Sequence, residues 1–227
     1  MKKLYLVFSL ALFSLNLFAQ SISLPFVEDF ESGQNGWTAG GTNNTWTFGT
    51  PNKLGLSSAP SGSNAWVLGG LTGSHNNNED SFVQSPEYDF TAFTNAKVSA
   101  TVAYNLEACC DGVTLQYSID AGSNWTTVNA SSNSINWYDD EWNGSTNGTR
   151  VVSSNVSELA GESSVMFRFY FDSDGSVIRD GFVLDDFTLS EYPEEDLSTI
   201  SLDLLSGRYF SNNEEISAVV YNAGSNA

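Results

Sequence analysis

The run Val113-Thr114-Leu115-Gln116-Tyr117-Ser118-Ile119 alternates without a break. Val113, Leu115, Tyr117 and Ile119 share one face, and Thr114, Gln116 and Ser118 share the other. A period of two belongs to a β-strand, and one apolar face beside one polar face belongs to an antiparallel sheet with a single wet side. Working outward, Ala65–Leu68, Lys97–Tyr104, Val165–Phe171 and Phe182–Leu189 are further runs rich in aromatic and β-branched residues, separated by clusters of Gly, Asn, Ser and Asp. Apolar residues at three-and-four spacing are missing over any long stretch, and only Val156–Ala160 suits a short helical turn. The expected fold is all-β: a jelly-roll-like antiparallel β-sandwich.

The two ends read differently. Lys2 and Lys3 precede an apolar run from Leu4 to Phe18, and Ala19 supplies the small residue that a signal peptidase requires. Residues 1–19 are expected to be a cleaved signal peptide, too short and too abruptly polar afterwards for a membrane span. The mature chain is thus expected to be secreted or held at the cell surface, with no membrane span. Residues 20–192 are assigned to the sandwich. Pro193, Glu194, Glu195 and Asp196 open a charged linker over residues 193–199. Beyond it, Ile200–Leu205 and Glu215–Tyr221 resemble the first two strands of an immunoglobulin-like module of CARDB type. Two strands alone are marginal in water, so residues 200–227 are expected to be the truncated start of such a module, with docking on the main domain as the alternative. A monomer, or one part of a longer multidomain chain, is the expected state.

Charge excludes several partners. Eight Lys and Arg face 27 Asp and Glu, for a formal charge of −19. Such a surface repels phosphate backbones and anionic head groups, which argues against nucleic acid as a partner. Clustered carboxylates instead suit a hard cation such as Ca2+. The two cysteines, Cys109 and Cys110, are adjacent. Their Cα atoms are held about 3.8 Å apart by a trans peptide, below the usual disulfide range of roughly 4.4–6.8 Å. A vicinal disulfide and two free thiols both remain open, and neither staples distant strands.

Acids recur near both ends of the sandwich. Asp29 and Glu31 lie near its start, and Asp185 and Asp186 near its close. First and last strands of a jelly roll are commonly neighbours, so these four are the candidate Ca2+ cage. Asp172, Asp174 and Asp180 form a second candidate metal group. The segment Ser118-x-Asp120-x-Gly122-x-x-Trp125 matches the Asp-box pattern. Its logic is a hairpin: Asp120 accepts turn amides, Gly122 takes a positive φ, and Trp125 packs back. Asp-boxes occur in sialidase propellers, but a propeller needs repeated blades and one box is present. The turn reading is therefore preferred.

In order and spacing, the chain resembles the MAM-like jelly-roll domains of secreted bacterial proteins, including those appended to immune-inhibitor-A-type peptidases and gliding-type surface adhesins. The carrying pieces begin with Leu24-Pro25-Phe26, Asp29-Phe30-Glu31, Gly36-Trp37 and Trp46-x-Phe48-Gly49-x-Pro51. Ser61-Gly62, Ala65-Trp66, Ser85-Pro86-x-x-Asp89-Phe90 and Asp111-Gly112 follow. Asn136-Trp137-Tyr138, Phe167-Arg168-Phe169 and Gly181-Phe182-x-x-Asp185-Asp186 complete the series, so the resemblance runs from about Leu24 to Glu191. The paired cysteines of eukaryotic MAM domains are missing. The resemblance implies a β-sandwich, a cation near the chain ends, and adhesion or ligand binding without catalysis.

Trp137, Tyr138 and Trp142, beside Asp139, Asp140 and Glu141, form a candidate platform for a sugar ring. Trp37, Trp46, Trp66 and Trp125 read as core or turn anchors. Catalytic constellations are lacking: His75 is the sole histidine, and neither H-E-x-x-H nor G-x-S-x-G occurs. The many acids lack the E-x-D-x-x-E spacing of sandwich-fold glucanases. The chain is expected not to be an enzyme but a secreted binder of a glycan or protein, stabilised by calcium. An ancillary domain of a secreted peptidase is the first alternative and a glycoside hydrolase the second.

Overall fold

The protein was analysed as a computed structural model, which describes residues 22, 25–53, 55–138, 141–192, 197–202 and 218–222. The expected signal peptide lies outside the described residues. Thirteen strands run in chain order: β1 (Phe26–Glu28), β2 (Thr38–Thr42), β3 (Thr47–Gly49), β4 (Ala65–Val67), β5 (Asp80–Gln84), β6 (Ala96–Asn105) and β7 (Gly112–Ser118). They continue with β8 (Thr126–Thr127), β9 (Arg150–Asn155), β10 (Met166–Asp172), β11 (Gly181–Glu191), β12 (Leu197–Leu202) and β13 (Ala218–Asn222). The expected helical turn is a single 3-10 turn, Ser157–Leu159. Among the described residues, no helix is long and apolar enough to cross a membrane.

Two antiparallel sheets form the sandwich. One has the order β3-β4-β11-β6-β9, with β1 also paired to β11; the other has the order β2-β5-β10-β7-β8. The alternation that announced β7 holds over its first part, since Val113 and Leu115 are buried while Thr114 and Gln116 are only partly covered; Tyr117 is partly covered too, and Ser118 is buried where its hydroxyl joins the following turn. Ile119 departs from expectation and is half exposed, because the strand ends at Ser118 and the chain turns there. In β10, Phe167, Phe169 and Phe171 point into the core, whereas Arg168 and Tyr170 are less buried. Aromatic rings join the layers: Phe169 lies 6.1 Å from Phe182, and Phe167 lies 5.6 Å from Phe187. Large rings meeting tilted or edge-on supply both buried apolar area and favourable quadrupole geometry.

Strand β11 is the hub. Phe182 and Leu184 are buried, then Phe187 and Leu189, so the alternation skips one residue at Asp185–Asp186. The register with β6 shifts at this point, and Asp186 takes a φ of 48°. An extra residue in one strand is what a β-bulge inserts, and it re-aims the side chains at the kink. On the opposite edge, β4 pairs with Val183 and Leu184, and β1 pairs with Phe187, Thr188 and Leu189. A gap in pairing therefore falls at Asp185 and Asp186.

The tail strands β12 and β13 form an antiparallel pair of their own. The first begins at Leu197, inside the stretch expected as linker, because Leu197 through Leu202 pair with the second strand. The remainder of the expected linker, residues 193–196, lies outside the described residues.

Candidate functional site

The terminal acids converge on one short loop. Asp185 is fully buried, and its Oδ2 accepts the Ser61 amide at 2.8 Å and the Ser61 hydroxyl at 3.1 Å. The Ser61 hydroxyl also reaches Asp186 Oδ1 at 2.8 Å. Two residues further on, Glu31 Oε1 accepts the amides of Ser63 at 2.8 Å and Asn64 at 2.7 Å. Glu31, Asp185 and Asp186 thus flank the Ser61–Asn64 loop, although among the described residues the four expected acids do not gather three ligating oxygens within 4.8 Å of one another. Asp29 serves its own turn, accepting the Glu31 amide at 3.1 Å. Burial pushes the Asp185 carboxyl up to about 6, only partly offset by the Ser61 and Asp186 amides. The amides of Asn64 and Ser63 hold Glu31 below its ordinary range.

The second expected acidic group does not assemble. Asp172 lies opposite Asp80 in the β5–β10 register. Asp180 Oδ2 takes the Asn105 amide at 2.9 Å, while its backbone carbonyl accepts from Lys53. Asp174 turns to Glu107 and Asp111, with one ligating oxygen of each within 4.8 Å of the others. Successive acids of a strand and its loop point in different directions, which separates the three. Glu107 also lies within that limit of Cys109 and Cys110, which form the vicinal disulfide.

The aromatic platform is largely corrected. Trp142 is 2 % exposed and packs between Phe169 and Phe182, each 6.1 Å away. Trp137 is 9 % exposed, edge-on to Trp142 at 4.9 Å, and its indole N–H donates to Val128 O at 2.8 Å. Both indoles gain more from core burial than from an open face. Tyr138 alone stays 49 % exposed. It borders an open cleft of about 630 Å³ shared with Tyr104, Trp137, Glu141, Asn143, Ser145 and Arg150. The expected segment therefore lines a cavity, although with one accessible ring where three were expected. Tyr104 and Arg150 come from β6 and β9 and carried no signal of their own in the sequence.

The Asp-box is a turn, as expected. Ser118 Oγ donates to Asp120 Oδ1 at 2.7 Å and accepts the Gly122 amide at 2.9 Å. Asn124 supplies its backbone and side-chain amides to the two Asp120 oxygens, at 2.8 and 2.6 Å. These donors hold the Asp120 carboxyl down to about 2. Gly122 adopts a φ of 81° against the Trp125 ring, which also receives the Arg168 guanidinium at 4.3 Å.

His75 is not a solvated loop residue. It is 1 % exposed and stands edge-on to Phe171 at 5.0 Å. Glu79 is also buried, and its carboxylate collects Thr45 N, Thr45 Oγ, Asn76 N and Ser81 Oγ within 2.9 Å. No local pattern marks either residue, because their partners come from separate loops.

Comparison with known proteins adds the following. The sequence model of Reelin subrepeat B matches residues 74–190. Bacillopeptidase F of Bacillus subtilis (strain 168) is 26 % identical over 171 residues, which span 75 % of this chain and 11 % of that protein. The chain thus spans about a tenth of the length of the curated relative it matches. Among solved structures, the K1 cleaved adhesin domain of Lys-gingipain from Porphyromonas gingivalis W83 is similar in fold, with 15 % identity and a TM-score of 0.44. That match covers 75 % of this chain and all of that domain. TmCBM61, solved in complex with β-1,4-galactotriose, is 14 % identical over 72 % of this chain and 94 % of its own, with a TM-score of 0.48. Since the Reelin subrepeat B model matches residues 74–190, more than half of the sequence, the chain belongs to the Reelin subrepeat B family.

Proposed function

We propose that this chain is a secreted, non-catalytic ligand-binding module of MAM-like jelly-roll type, stabilised by calcium, whose cleft beside Tyr138 takes a glycan. The observation that carries the reading is the cleft's composition. An accessible tyrosine ring stands beside a carboxylate (Glu141), an amide (Asn143), a hydroxyl (Ser145) and a guanidinium (Arg150). A sugar presents an apolar C–H face together with a rim of hydroxyls. One flat ring and several convergent donors and acceptors match both. Calcium would seat at the Ser61–Asn64 loop, displacing the Ser61 hydroxyl and drawing on Glu31, Asp185 and Asp186, with Asp29 close in sequence. In this reading the tail strands begin an immunoglobulin-like module. A glycan array probed with the full chain at millimolar calcium, with and without chelator, tests the function. Calcium-dependent binding to a restricted glycan set is expected, and a blank array would contradict it.

The similarity to bacillopeptidase F favours a second reading. The chain would then serve as an ancillary domain of a secreted peptidase, using the same cleft for a protein partner. Binding to an extracellular-matrix protein panel, in place of glycans, would support that alternative.

A further inference from the structure

The β6–β7 connection carries Glu107, the Cys109–Cys110 disulfide and Asp111. Asp111 is fully buried, yet only one hydrogen bond serves its carboxylate, from the Asp174 amide to Oδ1 at 3.1 Å. Its Oδ2 is buried and has no hydrogen-bond partner, and the same holds for Glu107 Oε2. The contrast with Glu79, equally buried and met by four donors, shows how this fold treats a carboxylate that is purely structural.

The nearest basic group does not fill the gap. His75 Nε2 stands 3.4 Å from Asp111 Oδ2. That nitrogen already accepts the Arg179 amide at 3.0 Å, while Nδ1 lies 3.1 Å from Asn76 O, which can only accept. The network therefore places a ring proton on Nδ1 and spends the Nε2 lone pair on the Arg179 amide, so His75 gives the Asp111 oxygen no hydrogen bond. A buried, electron-rich pocket of this kind is costly unless a positive charge enters it.

We infer that Glu107, Asp111 and Asp174 form a calcium site, separate from the one at the sheet gap. One oxygen from each of the three carboxylates lies within 4.8 Å of the others. Ligands on a common Ca2+ ion at about 2.4 Å cannot be further apart than about 4.8 Å, and these three oxygens meet that limit. The ligand set is all oxygen, which selects a hard cation. The neighbouring sulfurs are oxidised and offer no thiolate to a softer one. Water would complete the six to eight positions that calcium accepts. Bound there, the ion would tie the β6–β7 connection to the loop that follows β10, beside the Asp174 amide and the His75 contact.

The test is a calcium titration of the chelator-stripped full chain, followed by amide chemical shifts. Saturable changes are expected at residues 106–112 and 173–175, and Glu107→Gln should abolish them while leaving any changes at residues 61–64 and 185–186. Asp174→Asn, on an exposed side chain, should do the same and guards against a folding defect in the first variant. Asp111→Asn should raise the melting temperature in chelator, because a neutral amide replaces a buried carboxylate whose Oδ2 has no hydrogen-bond partner. Changes confined to residues 61–64 and 185–186, or none at residues 106–112 up to about 10 mM calcium, beyond the range of weak extracellular sites, would overturn the second site.

Discussion

Ser61 donates to Asp185 through both its amide and its hydroxyl, at 2.8 and 3.1 Å, inside the gap that β4 and β1 leave on one edge of β11. The bulge at Asp185–Asp186 creates this gap, and the loop's other end anchors Glu31. The opening strand, the closing strand and the Ser61–Asn64 loop are thereby tied at one point.

Asp185 makes the metal-free protein sensitive to pH. Its carboxyl is raised from an ordinary 3.8 to about 6, mainly by desolvation. The native state therefore holds that proton more tightly than the unfolded chain does. Its stabilising contribution is complete below about pH 4 and is lost as pH rises through 6. In chelator, the melting temperature should fall across this window, and Asp185→Asn should flatten the fall. Calcium at about a hundred times its dissociation constant should restore about 2.7 kcal/mol at neutral pH. Thermal melts over pH 3.5–7 with and without calcium check all three outcomes.

Asp120 predicts the opposite slope. Its folded value near 2 lies below the ordinary 3.8, the Asn124 side chain and amide being the leading causes. Its contribution is present above about pH 4 and disappears as pH falls toward 2. Asp120→Asn should lower the melting temperature at pH 7 and leave it closer to wild type at pH 2. Melts of the two proteins at both pH values decide this.

Trp142 should behave as core. Packed on Phe169 and Phe182 and 2 % exposed, it leaves a large cavity when truncated. Trp142→Ala should cost about 3–5 kcal/mol in denaturant unfolding. A loss of binding without a loss of stability would return this residue to the ligand platform.

Much of the architecture was legible because strand periodicity survives locally: Val113–Ile119 announced β7 and Phe182–Leu189 announced β11, whereas the bulge at Asp185–Asp186 emerged only with the β6–β11 register. That Glu31, Asp185 and Asp186 approach one loop needed only the pairing of first and last strands, whereas Asp29 turns to its own Glu31 amide. Asp172, Asp174 and Asp180 were misgrouped because closeness along a loop says nothing about side-chain direction. Trp137 and Trp142 were misplaced for a related reason: the segment from Asn136 to Gly148 has no regular period, so no face could be assigned to its rings. Glu79, His75, Glu107 and Asp111 acquire their roles only when separate loops meet, and no short motif encodes such a meeting.

The binding cleft is the claim on which the functional account depends, and Tyr138 is its accessible ring. Calorimetric titration of the calcium-loaded full chain with an array-selected oligosaccharide, comparing wild type and Tyr138→Ala, tests it most directly. The account predicts saturable binding by wild type, at least about a tenfold loss in the variant, and an unchanged melting temperature. Equal affinity in the two proteins would contradict it.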